Sequence, residues 1–113
     1  MTVSYFVIYR GSSADQHQFI AHYESVHVPI LLTLPGIVGV TVHNPVTWHD
    51  SKPVNASRFA LIAQLEFLSR EALCDALQSE QRAHAREDME ANFPAFEGVV
   101  WHQAVQSQRY VHG

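Results

Sequence analysis

The sequence predicts an α+β protein with a ferredoxin-like β-α-β-β-α-β order and one four-stranded antiparallel sheet. Four segments rich in β-branched and aromatic residues alternate with two amphipathic helical regions in that order. The length of 113 residues suits one hydrophobic core, so we expect a single domain over residues 1–113. Apolar residues make up 47% of the chain and charged residues 16%, as in globular and not in disordered chains.

The first strand and the first helix are predicted from a change in hydrophobic period. Val3–Tyr9 is apolar on both alternating faces, which indicates a strand buried on two sides. Residues 10–13 are typical of a turn, and Ser13 with Gln16 resembles a capping box at the start of a helix. The helix that follows carries an apolar stripe at three- and four-residue steps, formed by Phe19, Tyr23, Val26 and Ile30.

Pro29 interrupts this first helix. It has no N–H, so the carbonyl of Ser25 loses its helical partner, and we expect a kink there. The sequence Leu34-Pro35-Gly36 ends the helix.

The next two strands are predicted on either side of a long loop. Ile37–His43 is rich in β-branched residues and is predicted to be a strand. Residues 44–57 carry two prolines and several turn formers, and a loop of that length suggests a lid or an arm. Arg58–Phe67 is predicted to be the third strand, with Phe59 on the same face as the alternating residues Leu61, Ala63, Leu65 and Phe67.

A second helical region and a fourth strand complete the pattern. Ser69 is a candidate N-cap, and the stripe that follows includes Cys74, which we therefore predict to be buried and inert. A further helical piece from Glu80 to Asn92 places Ala85, Met89 and Phe93 inward and ends at Pro94. The fourth strand is predicted over Val99–Tyr110, with Val99, Trp101, Gln103 and Val105 on one side.

Two helical regions cover only one face of a four-stranded sheet, whereas the strands are apolar on both faces. The uncovered face is then a large apolar patch, and such patches mark association. We therefore predict a homodimer that buries sheet against sheet.

Composition argues against several classes of partner. The net charge is −4 and the only lysine is Lys52, so the chain lacks a nucleic-acid footprint. No apolar run approaches the roughly 20 residues of a membrane helix, and the N-terminus lacks the basic region of a signal peptide. With one cysteine the chain forms no internal disulfide, and a cytoplasmic location is the simplest expectation.

The first helix carries the strongest candidate for chemistry. His27 and Tyr23 are one turn apart and share a face, and imidazole titrates near neutral pH. His27 is thus a candidate general acid or base, or else a structural histidine that ties down the irregular backbone. His22 lies about 140° from His27 on an ideal helix. The two are expected to diverge unless the kink at Pro29 changes this, and His22 is kept as a weaker candidate.

A second candidate is the i, i+4 pair of His84 and Asp88. A carboxylate can fix an imidazole's tautomer, as in catalytic triads, but a surface ion pair is the preferred interpretation here. His43, His49 and His102 are placed where they could line a cavity. No His-Glu-x-x-His or paired-cysteine spacing occurs, so no metal and no cofactor is expected.

Aromatic side chains are numerous, and most are expected in the core. A few are expected to line an apolar pocket for an aromatic ligand. The residues assigned to substrate binding are Tyr5, Phe19, Phe59, Trp101 and His43.

The pattern Phe19-x-x-His22-Tyr23-x-x-x-His27-x-Pro29, followed by Leu34-Pro35-Gly36, resembles the EthD family of dimeric α/β-barrel proteins. The later segment Asp88-Met89-x-x-x-Phe93 is similar to the end of that family's second helix. The resemblance extends over most of the chain and implies a ferredoxin-like protomer whose sheet pairs with a second sheet to form a barrel.

For the site, the resemblance implies that His27 is the motif histidine, with His22, Tyr23 and Pro29 around it. Asp88 falls where the family often has an acidic residue. Relatives in the wider superfamily include polyketide cyclases and dehydratases, isomerases, decarboxylases and cofactor-free monooxygenases. This chain departs from the pattern in its longer loop before the third strand and its extra histidines.

The resulting hypothesis is a small cofactor-independent lyase or isomerase acting on an aromatic or polyketide-like oxygenated substrate. His27 is the general base or acid, Tyr23 a hydrogen-bond donor and Asp88 an orienting group; the reaction is cyclisation, dehydration or isomerisation. The alternatives are a cofactor-free monooxygenase, a non-catalytic binding protein of a degradation or biosynthetic pathway, and a purely structural dimer without a pocket.

Overall fold

The computed structural model describes residues 2–113 and confirms the predicted ferredoxin-like order. In that part of the chain, one antiparallel sheet of four strands has the order β2-β3-β1-β4. The strands are β1 (Thr2–Ser13), β2 (Gly39–His43), β3 (Leu61–Phe67) and β4 (Phe96–Ser107). The helices are α1 (Gln16–His22), α2 (Val28–Leu31), α3 (Arg70–Leu77) and α4 (Glu80–Asn92), and a π-helical turn over Tyr23–His27 joins α1 to α2.

The pairing of β1 with β4 extends further than predicted. Residues 10–13 belong to β1 and do not form a turn, and β4 covers Phe96–Ser107 instead of Val99–Tyr110. The cause is a pair of opposed glycines, Gly11 at φ +143° and Gly98 at φ +147°. A Cβ at either position would lie 2.0 Å from a carbonyl oxygen of the other strand, so only glycine lets the strands approach there.

The extension of β1 also changes the cap of α1. Ser13 donates a hydrogen bond from Oγ to the carbonyl of Ala95, at 2.7 Å, and is tied to β4. Asp15 caps the helix instead, since its Oδ1 accepts the N–H of Gln18 at 3.0 Å. The predicted cap of α3 is confirmed, because Ser69 Oγ accepts the N–H of Ala72 at 3.1 Å.

The irregularity expected at Pro29 is a π-helical turn. The N–H of Val28 bonds the carbonyl of Tyr23, five residues earlier, just before the proline that has no N–H to give. The wider turn moves the buried stripe by one residue. Val26 is 40% exposed, and the buried residues are Phe19, Tyr23, His27 and Leu31.

The core lies between the helices and one face of the sheet, which we call the covered face. It carries Tyr9 of β1 and the alternating residues of β3, which are Leu61, Ala63, Leu65 and Phe67. The other face, the open face, carries Ile8, Ile62 and Trp101, which are cross-strand neighbours.

Two predicted positions are wrong. Phe59 precedes β3, which begins at Leu61, and lies in an open-face groove with Ile8 and Ile62, not on the covered face. Cys74 is exposed, because α3 buries Leu73 and Ala76 and position 74 is turned about 100° away from Leu73.

Candidate functional site

Asp88 is the centre of the candidate site. It is 4% exposed near the end of α4, and its carboxylate contacts two histidines from the opposite helical segment. Nδ1 of His27 lies 2.8 Å from Oδ2, and Nε2 of His22 lies 3.1 Å from each oxygen. Nδ2 of Asn92, one turn further along α4, donates to Oδ1 at 3.1 Å. The carboxylate therefore has three side-chain partners.

The π-helical turn explains why both histidines reach one carboxylate. On an α-helix, residues five apart diverge by about 140°, and this led to the expectation that His22 and His27 separate. The i→i+5 bonding of a π-turn instead brings residues five apart onto one face. The expectation that the two histidines diverge is therefore wrong. The irregularity before Pro29 is a π-helical turn, and this turn makes both histidines converge on Asp88.

The two ring nitrogens of His27 have different surroundings. Nδ1 is held by Asp88, which assigns the proton of the neutral ring to Nδ1. Nε2 has no hydrogen-bond partner within residues 2–113. Every fully enclosed side-chain nitrogen or oxygen in that part of the chain has a hydrogen-bond partner, so the unpaired Nε2 is not fully enclosed. Because the His27 side chain is otherwise buried, we infer that the accessible Nε2 faces the pocket that His27 lines.

Burial sets the protonation of this pair. Desolvation lowers the pKa of His27 below its ordinary value of 6.5, against the opposing effect of the Asp88 carboxylate. For Asp88, desolvation raises the pKa, but the hydrogen bonds from His27, Asn92 and His22 outweigh it and the pKa lies below 3.8. At neutral pH the pair is a neutral imidazole that donates to a carboxylate, which is the arrangement of an oriented general base.

Two tyrosines form the wall next to His27. Tyr23 is 1% exposed and its ring centroid lies 4.8 Å from that of His27. Its ring meets that of Tyr9 of β1 edge-on, with centroids 5.7 Å apart. Desolvation raises the pKa of Tyr9 to about 12 and that of Tyr23 well above 10. Both phenols are therefore protonated at neutral pH and can donate an O–H.

Phe93 and Asn92 are functional neighbours that the sequence-based assignment missed. The ring of Phe93 meets His27 edge-on at 4.8 Å and His22 at 5.3 Å, which fixes both imidazoles against α4. Asn92 holds Asp88 from the last turn of α4. The i, i+4 spacing of Asp88 and Asn92 was the available signal for this support.

A pocket of about 60 Å³ opens at Nε2 of His27, between the helices and the covered face. Its floor and walls are mainly apolar, and Tyr5, assigned to substrate binding, lines it. Arg82, Arg86 and His102 also line it. Residues 44–58 do not contribute to its lining, so the long loop is not a lid over this pocket within one chain.

Four other residues assigned to substrate binding lie elsewhere. Phe19 is 1% exposed and packs in the core against Tyr9 and Phe96. His43 and Phe59 line a groove on the open face, and Trp101 lies on that face because it is opposite Ile8. The sheet separates the open face from the covered face, so His43, Phe59 and Trp101 do not meet His27.

The remaining histidines do not form a common cavity. His43 bonds Gln64 on the open face, His49 lies in the loop, and His102 lies at the His27 pocket. His84 is exposed, and Asp88 is engaged by His22 and His27 instead. Within residues 2–113, no three histidine, cysteine, aspartate or glutamate side chains are grouped so that they could hold a metal ion. No helix of the same residues has the length and hydropathy needed to cross a membrane.

Comparison with known proteins identifies the family. The sequence of residues 12–97 matches the EthD domain. This chain belongs to the EthD family. The resemblance drawn from the Phe19–Pro29 pattern and the following Leu34-Pro35-Gly36 is thereby confirmed. None of the curated proteins is significantly similar to this EthD protein in sequence.

Solved structures show the same fold. An EthD family protein from Bacillus halodurans has a TM-score of 0.75 at 19% identity, with 96% of this chain and 100% of that chain covered. SnoaB, a cofactor-independent oxygenase from Streptomyces nogalater, has a TM-score of 0.63 at 11% identity, covering 97% and 96%. A monooxygenase from Streptomyces coelicolor in complex with nanaomycin D has a TM-score of 0.64 at 12% identity, covering 99% and 91%. At these identities the similarity concerns the fold.

Proposed function

We propose that this EthD protein is a cofactor-independent enzyme that moves a proton next to a carbonyl in a small aromatic or polyketide-like oxygenated substrate. The observation that supports this most is the His27–Asp88 pair, with Nδ1 held at 2.8 Å and Nε2 open to a mainly apolar pocket. A histidine that only tied down the backbone would have no need of a buried carboxylate or of a nitrogen left open.

In the proposed reaction, Nε2 of His27 takes a proton from the carbon next to the carbonyl. The electron pair of that C–H bond passes into the carbonyl, which becomes an enolate, and His27 becomes an imidazolium beside Asp88. The same Nε2–H then returns the proton to another atom, which gives isomerisation, or to a leaving hydroxyl, which gives dehydration. Attack of the enolate carbon on a second carbonyl forms a C–C bond and turns that carbonyl oxygen into an alkoxide, which takes the proton from Nε2 to become a hydroxyl, and this gives cyclisation. Each sequence is balanced without an added oxidant or reductant.

The tyrosine pair is assigned to the carbonyl oxygen. Tyr9 and Tyr23 both line the pocket, and their raised pKa values keep them protonated as charge develops on an enolate. His22 is assigned a supporting role, since its Nε2 bonds Asp88 and its side chain is 18% exposed at the outer side of the carboxylate.

The size of the pocket limits what enters it. A volume of about 60 Å³ is below the roughly 300–1,000 Å³ that a whole drug-sized ligand occupies. We infer that only the reacting end of the substrate is seated at His27 and that the remainder lies at the mouth.

The test is exchange of α-protons for deuterium, followed by NMR with phenylacetone and phenylpyruvate in D₂O. The wild-type protein is expected to accelerate exchange, and His27→Gln is expected to reduce the acceleration by about 10²–10⁴-fold, the usual contribution of a positioned acid or base. His84→Gln, an exposed histidine of α4, is the matched control and should retain the wild-type rate. Exchange at the buffer rate with both probes, or full activity of His27→Gln, would refute the proposal.

A second candidate function is a cofactor-free monooxygenase, because two proteins of the same fold are named as an oxygenase and a monooxygenase. The same deprotonation by His27 would give an enolate that reduces O₂. For a CH₂ group between two carbonyl or aryl groups, one oxygen atom becomes a carbonyl and the other leaves as water with the two hydrogens. Oxygen consumption with anthrone, measured with wild-type protein and His27→Gln, distinguishes the two candidates.

We further propose a homodimer formed through the open faces of two sheets. Trp101 and Val99 on that face are 56% and 57% exposed. A groove of about 480 Å³ runs between the face and the loop that carries Trp48. In this arrangement the loop is an arm that reaches the second copy, and the apolar face is removed from water.

A further inference from the structure

The mouth of the His27 pocket differs in charge from the rest of the site. Arg82 and Arg86, four residues apart on α4, stand on one side, and His102 of β4 stands on the other. The buried part of the lining is formed by Tyr9, Tyr23, His27, Leu31, Leu34, Leu65 and Ala85. Arg86 and His102 are exposed, which places them at the entrance.

No carboxylate of residues 2–113 lines this pocket to neutralise the two arginines. The nearest acid on α4 that faces inward is Asp88, and it is occupied by His22, His27 and Asn92. The closest partner of Arg86 is Glu90, but Nε and Oε1 are 3.9 Å apart and both side chains are about half exposed or more. An exposed i, i+4 pair at that distance binds weakly.

Arg82 has a partly structural role. Its Nη1 donates to the carbonyl of Leu77 at the end of α3, at 3.0 Å, which holds the guanidinium at the pocket and leaves its other N–H groups free to donate. The ring of His102 lies tilted against that of Tyr5, with centroids 5.8 Å apart. Desolvation, and then the positive field of Arg82 and Arg86, lower the pKa of His102. A field that acts on a neighbouring imidazole also acts on a ligand in the same place.

We propose that Arg82, Arg86 and His102 form a carboxylate-binding subsite at the mouth of the pocket. The substrate class is accordingly a small acid whose enolisable end enters toward His27 while its carboxylate remains at the arginines. This inference rests on the proposed function for the role of the buried end, but the subsite itself is tested by binding alone. Guanidinium N–H groups form charge-assisted, often bidentate bonds with carboxylates.

The experiment compares benzoate with benzamide, which has nearly the same shape and no charge. Binding to the full chain is measured by NMR titration or calorimetry at low salt. Benzoate is expected to bind at least about tenfold more tightly, and Arg86→Gln is expected to remove most of that preference while leaving benzamide unchanged. Arg86→Lys should retain part of the preference for benzoate, because lysine keeps the positive charge but lacks the planar guanidinium that binds both carboxylate oxygens.

Arg70→Gln is the matched control, since Arg70 lies on α3 away from the pocket with its side chain 81% exposed. It should bind both probes as the wild type does. Equal affinity for the two probes, no benzoate binding, or equal behaviour of Arg86→Gln and Arg70→Gln would each overturn the proposal. His27→Gln should still prefer benzoate, so a failure of the carboxylate subsite is distinguished from a failure of His27 as the base.

Discussion

The covered and open faces of the sheet are built from the same alternating strands, yet they have opposite surroundings. On the covered face, Leu61, Leu65 and Phe67 are no more than 3% exposed, and the buried His27 lines one pocket with Leu65. On the open face, Trp101 is 56% exposed. One face is buried within the chain, and the other leaves large apolar side chains exposed.

The comparison shows why burial and chemistry occur together here. A carboxylate with three hydrogen-bond partners and a neutral imidazole require a surface that is already dry, and within residues 2–113 the covered face supplies it. Polar groups on the open face are of a different kind. His43 bonds Gln64 at 3.0 Å at an exposed position, where water competes with the bond.

The first prediction contrasts core positions on the two faces. Leu65→Ala, which empties a site 3% exposed, is expected to reduce the free energy of unfolding by about 2–5 kcal/mol. Ile62→Ala on the open face should cost less, about 1 kcal/mol, because its side chain packs on one side only. Urea titrations at low protein concentration measure both variants. Equal losses would mean that the two faces do not differ in packing.

The second prediction concerns association. Trp101→Glu places a carboxylate in the proposed interface and is expected to weaken the dimer by about 2 kcal/mol or more, about thirtyfold in dissociation constant. Sedimentation equilibrium measures the dissociation constant directly. Ala83→Glu, an exposed position of α4, is the control and should leave the dimer intact. A wild-type protein that is monomeric at micromolar concentration contradicts the assignment of the open face.

Much of the fold was predictable because it depends on local patterns. The order of strands and helices and the Ser69 cap follow from periodicity and capping chemistry, whereas the buried position of His27 depends on the π-helical turn. The full length of β1 and β4 was harder to predict, because glycines such as Gly11 and Gly98 are typical of turns. They act as a pair only when the two strands face one another.

The sequence-based hypothesis named residues of the candidate site and made Asp88 the orienting group of His27, but it separated His22 from His27. His27, His22, Tyr23 and Asp88 were all singled out, yet an α-helical period separates the two histidines. The π-turn that unites them has no period of its own in a sequence, and Asp88 is 61 positions from His27. Its apparent partner His84 was four positions away on the same helix, so local spacing favoured the wrong pair.

The last prediction concerns the acid sensitivity of the covered face. The pKa of His27 in the folded protein lies below its ordinary value of 6.5, mainly because burial disfavours the charged ring. The unfolded chain therefore binds more protons than the folded one between 6.5 and that lower pKa. The contribution of His27 to the free energy of unfolding is complete above about pH 6.5. It falls as the pH decreases through this interval, by at most about 1.4 kcal/mol per pH unit.

Asp88 and His22 face His27 in the site, and the depressed pKa of Asp88 adds its own loss below about pH 3.8, so the two losses begin at different pH values. In His27→Gln the loss that begins near pH 6.5 should shrink to the part contributed by His102, whose pKa is also lowered, while the loss below pH 3.8 remains, as measured by urea unfolding at a series of pH values. His84→Gln removes an exposed histidine and should follow the wild-type profile. If His27→Gln instead keeps the full decline below pH 6.5, another histidine accounts for it, and the neutral-base assignment of His27 loses its support from burial.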